Sequence, residues 1–426
     1  MGYRILFSIL LLAFFGNIYP NDKYDVSNLP VPDSLKQNYL KADNAQKEID
    51  CLNNICFTLN NTMPERSIEL AKKTLRISDS INYLFGQYEA NNNLGIAFYR
   101  TTRYTQAISC FQEAYKLAKK INNDGFIAAT LSNMALVYNE LGDFEKSLEL
   151  NNNALKIRTK QKDNSAIAIS YNNIGMTYHL KGEYYQALTY YTKALTIRTK
   201  ENDKEGQANV YNNMGQLFFD MYDNSNTWAI DSAIHYFLKA YTAYIALDNR
   251  IGVAKTLLNI ANIYSAQESD DRAIDAYRAA LNIMKQISDS AGIALAYYNM
   301  GVHFMNLNEN KRAIDHFNIS LSIAKRHKIA TLIKDNLKQL FLASSDQCIK
   351  ACGYAHEYFS IDDSINELSR HQLIEQYQGR LEFQAFENQE LQNQYSSIKI
   401  WLIIISSLFV LLLIIFFWLL FSKFNK

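Results

Sequence analysis

From about residue 45 to residue 360, apolar residues recur at steps of three, four and seven, and polar residues fill the positions between. That rhythm places the apolar residues on one face of a helix, so it predicts a succession of amphipathic helices and no strands. The pattern also repeats on a longer scale. Asn93-Leu94-Gly95 returns as Asn133-Met134-Ala135, Asn173-Ile174-Gly175, Asn213-Met214-Gly215, Asn259-Ile260-Ala261 and Asn299-Met300-Gly301, at steps of 40, 40, 40, 46 and 40 residues. Three residues after each small residue stands an aromatic: Phe98, Tyr138, Tyr178, Phe218, Tyr264 or Phe304. A second track follows, with Ala107, Ser147, Ala187, Ala233, Ala273 and Ala313. Four residues past these lie Phe111, Tyr191, Phe237, Tyr277 and Phe317, with Asn151 the exception.

Two helices per repeat account for these spacings. Small residues let two helix backbones approach, and rings fill the space beside them. Gly142-Asp143 and Gly182-Glu183 fall between the two tracks, where Gly ends the first helix and the acid starts the second. A longer loop is expected around Asp223-Asn224-Ser225-Asn226, where the 46-residue step carries its extra residues.

With these residues in view, the chain resembles the tetratricopeptide repeat family. That family's small residue on the first helix and two Ala on the second match Gly175, Ala187 and Ala194. The resemblance implies an all-α, right-handed α-solenoid of helical hairpins, spanning 45–360 in about seven or eight repeats of ~40 residues. End copies are degraded: Asn54-Ile55-Cys56 is weaker, and Lys338 replaces the small residue after Asn336-Leu337.

Two stretches stand outside the repeats. Ile5 to Phe15 is almost wholly apolar behind Arg4, which reads as a signal peptide over 1–19. Ile400 to Phe421 carries no charge, and as a helix it spans about 33 Å, enough for a hydrocarbon core. Trp401 and Trp418 stand near its ends, Lys399 precedes it, and Lys423 and Lys426 follow. The expected order is therefore a linker over 20–44, the array, a juxtamembrane helix over 361–398, a transmembrane helix over 399–421 and a cytoplasmic tail over 422–426. Repeats would face the periplasm from a single-pass anchor in the inner membrane. The Gln- and Glu-rich juxtamembrane helix either pairs with a second copy, giving a homodimer, or lies on the last repeat.

Lys plus Arg, 43, nearly balances Asp plus Glu, 42, so no electrostatic footprint for nucleic acid is present. No phosphate-binding loop or catalytic spacing stands out, and neither a cofactor nor enzymatic activity is expected. Cys348, Cys352 and His356 are spaced like ligands along one helix side, but packing explains them better than a metal, for which a fourth ligand is missing. Cys51, Cys56 and Cys110 read as core substitutions.

What remains is the groove. The resemblance implies that first helices line a concave surface gripping an extended peptide or a partner's helix. Residues flanking the small position would face it: Asn92, Asn172, Asn212, Gln216 and Tyr298, with Asn139 and His179 further along. Paired carboxamides, Asn172-Asn173 and Asn212-Asn213, can donate and accept, which suits a peptide backbone. Part of each pair can equally bond the neighbouring helix. A clamp for a terminal carboxylate is not expected, since only Arg100 and Lys255 supply basic groups nearby. The expectation is a non-catalytic, membrane-anchored binding protein. The alternative, from the order of its segments, resembles bacterial sensors of the Bacteroidetes type: the sensory half of a histidine kinase or regulator whose output part is absent or encoded separately.

Overall fold

The computed structural model describes residues 23–222, 227–327, 329–344 and 348–362. Two compact units divide the chain, Met1–His356 and Glu357–Lys426, and the first carries the features below. Its helices are α1 (Asp33–Leu40), α2 (Ala45–Thr62), α3 (Pro64–Ser80), α4 (Leu84–Arg100), α5 (Tyr104–Ile121), α6 (Asp124–Glu140) and α7 (Phe144–Gln161). They continue with α8 (Asn164–Leu180), α9 (Tyr184–Lys200), α10 (Lys204–Asp220), α11 (Thr227–Ala246), α12 (Arg250–Ala266), α13 (Asp270–Gln286), α14 (Ser290–Asn306), α15 (Asn310–His327) and α16 (Ala330–Ala343). A further helix, α17 (Cys348–Asp362), runs across the division.

From α2 to α15 these helices pack as seven antiparallel hairpins, each stacked on the next, and α16 packs on the last. This is an all-α helical-repeat solenoid. Why the hairpins form is visible at the small residues. A Cβ on Gly215 would lie 2.7 Å from the ring of Phe237, and one on Gly175 would lie 2.8 Å from that of Tyr191. At Gly95, Gly175, Gly215 and Gly301 the first helix therefore gives up a side chain to seat a ring from the second helix. Phe111, Tyr191, Phe237, Tyr277 and Phe317 are all fully buried. Where Asn151 replaces the ring, the space is filled by a polar cluster: Ser147 Oγ lies 3.1 Å from Thr177 Oγ1 in the next first helix.

Turns keep the same period. Left-handed residues end helices at Asn82, Thr102, Asn122, Gly142, Lys162, Gly182 and Asn202, and again at Asp248, Glu268, Ser288 and Asn308. The next N–H bonds back to the carbonyl five residues earlier, as from Asp143 to Tyr138 at 2.9 Å and from Asp163 to Arg158 at 3.2 Å. That following residue then caps the next helix: Asn123, Asp143, Asp163, Asp203, Asn249 and Asp289 each accept from a backbone N–H. Glu183 does not cap; it pairs with Lys181 at 2.8 Å instead, because its side chain is one carbon too long for the cap geometry.

The stretch read as an extended linker is packed. Val26, Leu29 and Val31 are buried in the first core cluster, and Tyr39 of α1 joins them. Lys23 Nζ donates to the carbonyls of Tyr39, Leu40 and Ala42, so the segment covers the open end of the first hairpin. An exposed repeat end has an apolar face to cover, and these residues supply the cover. Among the described residues no helix is long and apolar enough to cross a membrane. The segments expected as signal peptide and membrane span, the loop at 223–226, and the juxtamembrane helix beyond residue 362 lie outside the described residues.

Candidate binding groove

First helices touch not only their hairpin partners but also each other: α2 with α4, α4 with α6, and so on to α14 with α16. They therefore form the inner side of the stack. The Asn of the repeated triplet is what ties them together. Asn133 Nδ2 donates to Asn92 Oδ1 at 2.9 Å, Asn213 Nδ2 to Asn172 Oδ1 at 2.8 Å, and Asn259 Nδ2 to Asn212 Oδ1 at 3.2 Å. Asn93 Nδ2 makes the equivalent bond to the backbone carbonyl of Asn53 at 3.1 Å. Asn93 and Asn213 thus hold the preceding repeat, and Asn92, Asn172 and Asn212 accept from the following one.

This arrangement leaves an asymmetry. Asn92, Asn172 and Asn212 spend their oxygens on neighbouring helices, yet their NH₂ groups have no hydrogen-bond partner among the described residues. All three side chains are half-buried on the inner side. Ser132 holds the same position in the second of these repeats, and its hydroxyl is buried without a partner. One turn further along stand the half-buried Ile96, Leu136 and Met176. Ile169 and Leu295, one turn earlier, are large apolar residues left exposed. The inner side thus combines unused amide donors with apolar flanks, which is the chemistry an extended backbone with alternating side chains requires.

The other expected residues are placed less uniformly. Gln216 Nε2 donates to Asp220 Oδ1 at 2.7 Å, and Asp220 Oδ2 lies 2.8 Å from His179 Nε2. These three form a chain between α8 and α10. Tyr298 is half-buried with its ring against Phe317, and burial together with the charge of Asp335 raises its hydroxyl pKa. Asn139 is a correction. It is buried, its Nδ2 donates to Thr177 Oγ1 at 3.2 Å, and it belongs to the polar cluster around Asn151 rather than to the groove. At its register position a side chain points into the seam between first helices, where Tyr99 and His179 make comparable ties in other repeats.

Sequence reasoning missed a set of acidic groups at the first repeats. Asp50 of α2 and Glu89 of α4 stand near one another, and burial pushes both carboxyl pKa values up, with the charge of Asp50 adding to the effect on Glu89. Tyr83 OH donates to Asp50 at 3.1 Å. Single carboxylates in a charge-balanced chain carry no motif; only the repeat register, which aligns Asp50 with Glu89, marks them. Among the described residues no group of three or more His, Cys, Asp or Glu side chains is placed to hold a metal ion. Cys352 is exposed, and the side chain of Cys348 lies outside the described residues. Burial raises the thiol pKa of Cys56 to about 12 and that of Cys110 to about 11, which keeps both protonated and unreactive.

Comparison with known proteins agrees with this architecture. Residues 87–161 and 166–224 match one description of the tetratricopeptide repeat, and residues 256–291 match another. Those segments are tetratricopeptide repeats. Tonsoku-like protein of Danio rerio is 27% identical over 81 residues, which is 19% of this chain and 6% of that protein. The chain thus spans only a small part of that relative's length. A Rap protein complexed with competence and sporulation factor superposes with a TM-score of 0.52 at 14% identity, over 76% of this chain and 99% of that one. A plasmid Rap conjugation gene regulator in complex with a Phr peptide gives 0.53 at 15% identity, over 79% and 94%. Aspartyl phosphate phosphatase F from Bacillus subtilis gives 0.52 at 13% identity, over 78% and 88%. At these identities the likeness is one of fold.

Proposed function

We propose that the chain is a non-catalytic, membrane-anchored binding protein whose first helices hold an extended peptide or protein segment on the periplasmic side of the inner membrane. One observation carries the binding: Asn92, Asn172 and Asn212 present unused NH₂ donors at one register of the inner side, beside exposed apolar residues. Backbone carbonyls of an extended segment match such donors. Two proteins of the same fold are known in complex with a peptide or a factor, so the fold accommodates this kind of ligand. Anchoring is supported by the charge-free run at 400–421 and the side of the membrane by the apolar run at 5–15.

The binding test uses Asn172→Asp. Aspartate keeps the oxygen that Asn213 needs and removes the donor that the groove presents. Capture of immobilised octapeptides by the full-length chain in detergent is expected to weaken by up to about tenfold, the worth of one hydrogen bond of about 1–1.5 kcal/mol. Unchanged capture by a variant of unchanged melting temperature would remove the donors from the function. Deleting residues 400–426 is expected to release a soluble helical protein; retention of that product in the membrane fraction would count against the signal-peptide reading.

A further inference from the structure

The seam between α2 and α4 has consecutive rungs one helical turn apart on both helices. Tyr83 OH donates to Asp50 Oδ1 at 3.1 Å, and one turn on, Asn53 Nδ2 donates to the carbonyl of Gly86 at 3.3 Å. Asn93 Nδ2 donates to the carbonyl of Asn53, so Asn53 meets α4 at both Gly86 and Asn93, and Glu89 lies on the turn between those two. Asn53 is 1% exposed, and its Oδ1 has no hydrogen-bond partner. Neither Asp50 nor Glu89 joins an ion pair among the described residues. Three oxygen acceptors are therefore gathered, and among the described residues Tyr83 is the side chain that donates to them. Removal from water costs carboxylates much of their hydration, and among the described residues no ion pair compensates for it.

We propose, building on the groove reading above, that this seam seats the cationic side chain, Lys or Arg, of the bound peptide. An ammonium brings three donors and a guanidinium five, and neither accepts, which complements a site made of acceptors. Charge-assisted bonds to the two half-buried carboxylates fix one end of the peptide, and the buried Asn53 oxygen adds its partial negative charge to the seat. The uncharged Asn92, Asn172 and Asn212 donors then take its backbone further along the inner side. The groove thereby gains a direction: a basic residue at the α2–α4 end, and apolar residues facing Leu136, Met176 and Ile169.

The test is an array of immobilised octapeptides in which each position in turn is fixed as Lys, Arg, norleucine or Glu, probed with the full-length chain in detergent. Lys or Arg at one position is expected to raise capture about tenfold over norleucine, as a charge-assisted pair does, and Glu to lower it. In the double variant Asp50→Asn, Glu89→Gln that preference disappears while capture of the norleucine peptides stays. Removing two facing carboxylates relieves repulsion, so this variant is expected to melt no lower than the parent; if it misfolds, Glu89→Gln alone is read in its place. Equal capture of Lys and norleucine peptides, or a preference that survives the variant, overturns the seat and leaves the groove reading standing. A preference that vanishes with a chelator assigns the carboxylates to a divalent cation and also overturns it. If no peptide is captured at all, the groove reading falls and the seat falls with it.

Discussion

At Gly215, space rather than flexibility decides the residue. Its Cβ would meet three ring atoms of Phe237 within 2.8 Å, on a helix whose backbone can move only by disturbing the next repeat. Gly215→Ala gains up to about 1 kcal/mol of helix propensity and loses about 1–3 kcal/mol to overpacking. A net loss in thermal unfolding is expected, and Phe237→Leu in the same chain is expected to recover part of it. Additive effects of the two substitutions would mean that the ring and the glycine are not coupled. His303 carries a different kind of strain. It is buried, its Nδ1 lies 2.8 Å from Ser265 Oγ, and its Nε2 faces Asp270 Oδ1 at 3.9 Å with neither atom hydrogen-bonded. Burial lowers its pKa, Arg312 adds to this, and Asp270 and Glu309 oppose it. The unfolded chain then takes up a proton near pH ~6.5, before the folded one does. Stability from the neutral ring is present above that value and is lost as pH falls below it. Denaturation midpoints of the parent between pH 7 and 5 should show that decline, and His303→Gln should flatten it.

At the scale of the element, the helices are stopped by conformation and started by side chains. Of the eleven left-handed turn residues among the described residues, seven are Asn, Asp, Ser or Thr and two are Gly, and only Lys162 and Glu268 have long side chains with no local bond to offer the backbone. A left-handed conformation costs a residue with Cβ about 1–2 kcal/mol, and glycine recovers that less its own entropy of about 0.5–1 kcal/mol. Lys162→Gly is therefore expected to stabilise by about 0.5–1 kcal/mol, and Gly142→Ala to destabilise by a similar amount. Melting temperatures moving in the same direction for both would show that the turn residues are not setting the helix ends. The Asn ties belong to this scale too. They join first helices at one register, which is why the sequence repeats Asn where a helix interior would favour other residues.

At the scale of the molecule, each hairpin in Met1–His356 contacts its neighbours in the chain and little else. Stability in such a stack is a sum of hairpin and interface terms. Gly301→Ala, which drives a Cβ against Phe317, is therefore expected to speed amide hydrogen exchange in α12–α16 while leaving α4–α8 as protected as before. Uniform loss of protection along the whole array would show that the unit opens as one body. The same locality explains why the two ends differ from the middle: Val26, Leu29, Val31 and Tyr39 cover one open face.

Much of this was legible in the sequence because the interactions that set the hairpins are local and recur. A period of 40 residues exposes Gly175 and Tyr191, or Gly301 and Phe317, as partners without coordinates, since the ring follows the small residue at the same spacing in both; Gly215 and Phe237 keep the partnership across the extra residues of the 46-residue step. Gly142-Asp143 likewise reads as a stop and a start. The groove was legible only in part. Which Asn of a pair ties the helices and which keeps a donor depends on how first helices meet across some forty residues, and Asn139 went into the core for that reason. The packing of residues 23–32 and the meeting of Asp50 with Glu89 were decided by tertiary structure alone. Both depend on surfaces that exist only once hairpins have stacked, and a sequence period describes what repeats, not what the repeats enclose.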